Sequence, residues 1–526
     1  MALAVNVSVL RLRHSFAAVL KGSWYGLKER PLAALTLIAL VPRLIAAFFS
    51  GGYFAHDDHF LIIESSASWV QASQYSTWLP WNQAGDPQPS GHSFFYVGIH
   101  YLLFELMEML RLTDPTAQMT IIRILHAAWS LLVVRFGYLI ALELSDRRIA
   151  WHIGLFLALF YFMPFLAVRN LVEVVCIPFL MIGAYKLIKG GTLPSANAAM
   201  IAGIWIGMAM NIRFQTIFFA AGPGVAFLFQ RHWRQMFMYG IGLLIPLVVI
   251  QGSLDMLIWK EPFVEITEYV RYNLEHKTTY GTLPWYNYLI LLLGIFIPPF
   301  SMALFFGFFR RTIPFTIWLA LIFFLVVHSY FPNKQERFLL PMIPLYFVLA
   351  YVSWEQWRQR SQWWSKRENF WRRTLIFTWC INVPVMLLLC FSYSKRSRVE
   401  AMTFLKDRPV NGLVVEDSFE GDPPLPPMYY MRRWHMEVIM WSDRNADLDS
   451  AFARIPRSTW PDVVLFFGTE ELEERKQRLE EVMGPLRIEG TAEPGLVDKV
   501  VHWLNPVNRN ETIVIARADR IATTAP

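Results

Sequence analysis

The chain has 526 residues, 55% of them hydrophobic and 16% aromatic, while Asp, Glu, Lys and Arg together make up 17%. Soluble globular domains carry roughly 25% charged residues, so the composition excludes a purely soluble protein and points to a chain that is mostly membrane-embedded. The net charge of +7 resides in short basic turns between apolar runs, which is an orientation signal and not the footprint of a nucleic-acid partner.

Residues 1–31 carry Arg11, Arg13, Lys21, Lys28 and Arg30 and lack a small-residue cleavage site, so they read as a cytosolic or interfacial leader. A crossing needs about 20 mainly apolar residues. The candidate spans are 32–50, 121–143, 150–168, 171–188, 198–212, 214–230, 238–258, 286–308, 313–330, 338–357 and 374–393, eleven in all. Runs 198–212 and 214–230 are short for a crossing, so they are expected to be tilted, broken or fused. Basic turns at Arg147-Arg148, Lys186 with Lys189, Arg231 with Arg234, Arg310-Arg311 and Arg358 to Arg373 alternate with turns poor in Lys and Arg. From Leu44 to Leu110 there is neither Lys nor Arg. The N-terminus is then cytosolic, the C-terminus is outside, and 51–120 is a large first outward loop. Within that loop, 93–110 is apolar but carries Glu105 and Glu108, and it reads as a helix lying along the outer interface. Cys176, Cys380 and Cys390 sit in apolar runs and read as small buried hydrophobes.

Residues 32–399 form the membrane module, and 400–526 change character. They are polar, with short apolar runs at 412–416, 436–440, 463–467 and 512–516 and a charged helix from Glu470 to Met483 behind Thr469 as N-cap. Strands alternating with a helix predict a small extracytoplasmic α/β domain. It has no Gly-rich phosphate loop. Pro423-Pro424-Leu425-Pro426-Pro427 reads as a stiff turn or surface loop.

Chemistry collects in the outward loops. The first holds His56, Asp57, Asp58 and His59; the turn at 169–173 holds Arg169, Asn170 and Glu173. The third holds Tyr272, Asn273, His276, Lys277, Tyr280 and Trp285, and the fourth holds Asn333, Lys334, Gln335, Glu336 and Arg337. Carboxylates opposite cations suit a site that binds an anionic group and removes a proton. An Asp-Asp pair beside histidine also suits a divalent metal, with Asp57, Asp58 and His56 or His59 as ligands. A transporter or flippase of lipid-linked glycans is the alternative class. It would place its ionisable groups near the midplane, between inverted repeats, whereas here they gather at one face.

Three stretches carry a family resemblance: Ala55-His56-Asp57-Asp58-His59-Phe60; Tyr269 to Asn273 followed by Tyr280-Gly281-Thr282-Leu283-Pro284-Trp285; and Asn333-Lys334-Gln335-Glu336-Arg337-Phe338. With Arg213-Phe214-Gln215-Thr216 and Asp255, they resemble the GT-C mannosyltransferases of GPI-anchor and lipid-linked oligosaccharide assembly and their bacterial relatives. The family's proline before the acidic pair is His56 here, and its acid after the lysine is Gln335. The resemblance implies a GT-C fold and inverting, metal-independent transfer of a sugar, mannose in this family. The donor is a polyprenyl-phosphate sugar, and the acceptor is a hydroxyl of a glycan or glycolipid. It implies catalytic roles for Asp57, as general base, and for Asp58. Substrate contacts fall on His56, His59, Arg169, Glu173, Tyr272, Asn273, Tyr280, Trp285, Lys334, Glu336 and Arg337, with Lys334 and Arg337 on the donor phosphate. No cofactor beyond the donor and no resident metal is expected. The membrane is expected to be the bacterial cytoplasmic membrane, with the endoplasmic reticulum as second choice.

Overall fold

The computed structural model describes residues 29–191, 193–279, 281–310, 314–417, 424–442, 452–453, 455–505 and 508–519. Residues 1–28 of the leader, Arg311, Pro423 and the candidate site residue Tyr280 lie outside the described residues. The chain is mainly helical. In order, the principal helices are α1 (Pro31–Phe49), α2 (Phe94–Met109), α3 (Pro115–Leu144), α4 (Arg147–Leu159), α5 (Ile177–Ile188), α6 (Ala196–Ile212), α7 (Ile217–Phe229), α8 (Trp233–Ile258), α9 (Val264–Glu275), α10 (Asn287–Ile295), α11 (Phe300–Phe308), α12 (Phe315–Tyr330), α13 (Ile343–Arg360), α14 (Glu368–Cys390), α15 (Arg396–Leu405), α16 (Leu472–Met483) and α17 (Leu496–Leu504).

Each apolar run read from the sequence is helical, but in three different ways. Five segments are long and apolar enough to cross a membrane: α1, α3, α8, Glu336–Arg360 and α14. The runs at Ala196–Ile212, Phe214–Phe229 and Phe315–Tyr330 are shorter apolar helices. The runs at 150–168, 171–188 and 286–308 are each broken in two, at Phe160, Cys176 and Phe296–Pro299. A proline ring clashes with the carbonyl four residues earlier. Pro164 stands four residues behind the first break, Pro178 opens the helix behind the second, and Pro299 closes the third. The freed backbone groups are satisfied from neighbouring helices. Arg43 of α1, fully buried, donates to the Leu157 and Ala158 carbonyls at 3.1 and 2.8 Å, and Asn382 of α14 bonds Leu159 O and Tyr161 N at 2.8 and 2.7 Å. Helix starts are set by side-chain caps at Ser93, Asp114, Asp146 and Ser195.

The basic turns meet at one end of the bundle. Gln356 donates to Leu144 O, Gly190 N to Glu143, and Gln235 to Pro194 O. The opposite end carries the carboxylates and the C-terminal sheet. That sheet has strands β1 (Gly412–Glu416), β2 (Glu437–Trp441), β3 (Val463–Phe467), β4 (Leu486–Ala492) and β5 (Ile513–Ala518) in the order β2-β1-β3-β5-β4. β1 pairs parallel with β2 and β3, and β5 pairs antiparallel with β3 and β4. Strand β4 escapes the sequence reading because its alternating LRIEGTA pattern has only a half-buried face.

Three local expectations change. Cys176 and Cys390 are buried as expected, but Cys380 is exposed on the outer face of α14. Helix α16 is entered from Glu471 in a left-handed conformation, so Thr469 is not its N-cap. The proline-rich stretch is no surface loop along its length. Pro426 and Pro427 are buried and lead into the turn Met428–Tyr430, whose aromatic rings insert into the membrane module.

Candidate active site

The acidic loop leaves α1 through Gly51-Gly52. Gly52 has φ +70°, and a Cβ there would meet the Ser394 carbonyl at 1.8 Å, so only glycine lets the loop run beside the segment behind α14. Gly52 and Ser394 form a parallel bridge. Asp57 follows, and Asp58 opens a π-helical turn, Asp58–Glu64. The wider turn is a rare geometry that recurs at functional sites.

Three other pieces of chain converge on the two acids. Arg337 enters from the turn before α13, with Nη2 2.9 Å from Asp57 Oδ2 and Nη1 3.4 Å from Asp58 Oδ2. Its Nε donates to Gln335 Oε1 at 2.7 Å and lies 3.6 Å from Glu173 Oε1. Glu173, fully buried in the turn before α5, pairs with Arg213 Nη1 at 3.0 Å. Arg213 stands at the break between α6 and α7, and both guanidinium groups pack on Phe338, at 5.1 and 5.7 Å. Asp58 accepts from Val172 N at 3.3 Å.

The environment separates the acids. The Asp57 side chain is 49% exposed and that of Asp58 is 6% exposed. Burial raises the Asp57 carboxyl, but the bonded Arg337 guanidinium overcomes this and holds it below the usual carboxylate range. Burial and the neighbouring Glu173 charge push Asp58 up to about 8. At neutral pH Asp58 therefore keeps a proton, Asp57 is an accessible anion, and Asp57 with Glu173 offsets Arg213 and Arg337.

Other expected site residues are placed elsewhere. Arg169 is buried and braces the loop, donating to the Gly51 and Gly52 carbonyls at 2.9 and 3.1 Å and to Ser50 Oγ at 2.6 Å. His59 is buried between the rings of Tyr53 and Tyr430, 3.6 Å from Glu64. His56 packs on Phe60. Lys334 is buried and donates to the Phe331 carbonyl, so it does not join Arg337. Glu336 is exposed. Tyr272 stacks on His276 at 4.3 Å, Asn273 donates to Tyr269 O at 2.8 Å, and Trp285 is exposed against Tyr286. A bridge between Thr282 and Asn333 draws the third and fourth outward loops together. Among the described residues, no group of three His, Cys, Asp or Glu is arranged to hold a metal ion.

A cleft of about 470 Å³, partly open to solvent, adjoins Arg213 and has an apolar floor including Leu61, Val97 and Phe214. His92 and Tyr269 line it. The His92 loop is tied down by buried Glu265, whose Oε2 accepts from Gly91 N, Ser90 Oγ and His92 N at 2.6, 3.0 and 3.2 Å, and whose Oε1 accepts from Trp259 at 2.8 Å. His92 Nδ1 lies 2.9 Å from the Ser90 carbonyl. That contact keeps the ring proton on Nδ1 and leaves Nε2 as an acceptor. Desolvation within the cleft lowers the imidazole pKa from its ordinary value. Arg213, His92 and Glu265 are additions to the expected set. The alternation of spans 198–212 and 214–230 already puts residue 213 at an outward turn, whereas His92 and Glu265 lie in long loops without a distinguishing pattern.

Comparison with known proteins bears on the fold and the family. The family model "Alg9-like mannosyltransferase family" matches residues 34–418, well over half the chain. GPI mannosyltransferase 3 of Saccharomyces cerevisiae is 27% identical over 169 residues, which is 30% of this chain and only 27% of that protein's length. ArnT from Cupriavidus metallidurans, solved with undecaprenyl phosphate, superposes with a TM-score of 0.58 at 12% identity over 94% of this chain and 99% of that one. The Archaeoglobus fulgidus oligosaccharyltransferase tethered to an acceptor peptide gives 0.51 at 10% identity, over 84% of this chain and 69% of that one. The structural likenesses establish a GT-C fold, and the family match establishes that this chain belongs to the Alg9-like mannosyltransferases, a family of membrane glycosyltransferases.

Proposed function

We propose that the site transfers a sugar, mannose by family membership, from a polyprenyl-phosphate carrier to a hydroxyl of a glycan or glycolipid acceptor, with inversion at the anomeric carbon. The observation that carries this reading is the accessible Asp57 carboxylate bonded to Arg337 at 2.9 Å. The acceptor oxygen forms the new bond to the anomeric carbon as its proton passes to Asp57. The bond from that carbon to the phosphate oxygen breaks, and the electron pair leaves with the phosphate. Asp57 loses negative charge in the same step in which the phosphate gains it. Arg337, with Arg213 behind it, follows the charge from one to the other, which stabilises the transition state more than the ground state. Asp58, protonated and buried, holds the loop without competing for the proton.

The fold of ArnT accommodates undecaprenyl phosphate, the lipid class proposed here for the donor. The acid-bearing end is opposite the basic turns, which favours an extracytoplasmic site in a bundle of eleven crossings with a cytosolic N-terminus. Two guanidinium groups supply the positive charge that a metal supplies in other transferases, so transfer is expected to survive a chelator.

Asp57→Asn, purified and given a polyprenyl-phosphate mannose with a glycolipid acceptor, is expected to lose about 10²–10⁴-fold in turnover while its thermal unfolding stays near that of the wild type. Wild-type turnover in this variant would overturn the base assignment.

A further inference from the structure

The C-terminal domain carries a helix whose outer face is exposed among the described residues. Leu496, Val500, Trp503 and Leu504 of α17 are 70, 48, 79 and 68% exposed. At 3.6 residues per turn these four side chains fall within an arc of about 100°. Asp498 points the opposite way. It is buried and accepts from the backbone N–H groups of Lys395 and Arg396, both at 3.0 Å. Gly495, at the start of α17, packs so close to the Tyr393 carbonyl that a Cβ would approach it to 2.9 Å.

These contacts set the depth of α17. Lys395 is five residues beyond Cys390, where the apolar helix α14 ends. Five residues reach at most about 18 Å, so α17 is held close to the plane in which α14 leaves the hydrocarbon. The exposed apolar surface of α14 and its neighbour continues to that level through Leu387, Leu388, Phe391 and Phe49, with Phe49 and Phe391 in ring contact at 5.2 Å. Lys499 flanks the stripe with its side chain 58% exposed. A short helix with one apolar face, a tryptophan within that face and a basic flank is suited to the headgroup boundary of a bilayer.

We propose that α17 is a membrane-surface helix, laid with Leu496, Val500, Trp503 and Leu504 in the phospholipid leaflet into which α14 emerges. It anchors the C-terminal domain to the bilayer. Because Asp498 clamps the segment whose Ser394 pairs with Gly52, the lipid surface also supports the base of the Asp57 loop. The proposal stands independently of the sugar-transfer reading.

The test uses the full chain with Cys380→Ser and a nitroxide on Val500→Cys, in nanodiscs of phosphatidylcholine and phosphatidylglycerol. Glu473→Cys on the exposed face of α16 is the aqueous control. The ratio of oxygen to nickel-chelate accessibility is expected to be several-fold higher at 500 than at 473. Equal ratios would place α17 in water and overturn the proposal. Exclusion of both reagents with dipolar broadening between labels would also overturn it, by showing a second copy on that face. Leu504→Cys repeats the reading on the next turn should the first variant fail to fold.

Discussion

At the residue scale, two adjacent acids of the same type are separated by what surrounds them. Asp57 is half exposed and bonded to one guanidinium group, whereas Asp58 is buried beside Glu173 and protonated up to about pH 8. Asp58 has a folded pKa near 8 against an ordinary 3.8, so between those values the native state holds a proton that the unfolded chain has released. Stability then falls as pH rises from about 4 to about 8 and levels off above. Asp58→Asn is expected to flatten that slope in thermal unfolding measured between pH 5 and 8, and identical slopes would count against the assignment. Arg213 is a second residue whose weight comes from its surroundings. Arg213→Ala leaves Glu173 buried with only the longer Arg337 contact, a loss of about 3 kcal/mol. A lower melting temperature and a raised KM for the polyprenyl-phosphate donor are both expected.

At the element scale, the broken helices build the site. Proline at 164, 178 and 299 interrupts spans that are otherwise apolar enough to continue, and the turn between two such breaks delivers Arg169 and Glu173 to the acidic loop. Each break needs partners for its exposed carbonyls, because lipid provides none. Arg43 serves the first break from inside the bundle. An arginine within an apolar helix would by itself suggest a functional ion pathway, and the structure gives it a structural task. Arg43→Met keeps the side-chain bulk but leaves the Leu157 and Ala158 carbonyls without this partner. It should lower the melting temperature while leaving donor KM unchanged, and a changed KM with unaltered stability would contradict the brace role. The Ser90–His92 loop is held in a similar way by Glu265. Burial pushes this carboxyl up to about 7, against the pull of the Ser90 bond. Gly91 has φ +69° with the Tyr269 backbone 3.3 Å from a would-be Cβ, so Gly91→Ala should displace the loop. A several-fold fall in turnover is the expected result, readable in the same transfer assay.

At the scale of the whole molecule, the C-terminal domain forms part of the membrane module's core. The turn Met428–Tyr430 seats Tyr430 over His59 with the rings nearly parallel, and Tyr429 N donates to buried Glu64 at 2.9 Å. The π-helical turn that carries Asp58 is thus backed by residues some 370 positions later in the chain. Tyr430→Ala removes a fully buried ring and should cost about 3 kcal/mol, detectable as earlier proteolysis of 400–526 and a lower melting temperature. Wild-type resistance to protease would mean that the two parts are held mainly by other contacts.

The sequence by itself determined the membrane class, the apolar runs and the acidic loop. All three are local: hydropathy is read over one helix length, and Asp57, Asp58 and the prolines are neighbours of what they affect. It also placed Arg337 and Glu173 on the same side as the acids through the alternation of basic turns. Which cations reach which carboxylates was decided only by the tertiary structure. Lys334 and Arg337 are three residues apart in one loop, yet one turns to a backbone carbonyl and the other to the acids. Arg169 and Arg213 both follow apolar helices, yet one braces a loop and the other pairs with Glu173. Burial and ion pairing depend on segments far apart along the chain, Asp57 and Arg337 by 280 residues and Glu173 and Arg213 on either side of two intervening helices, and no single-helix window along the sequence contains both partners.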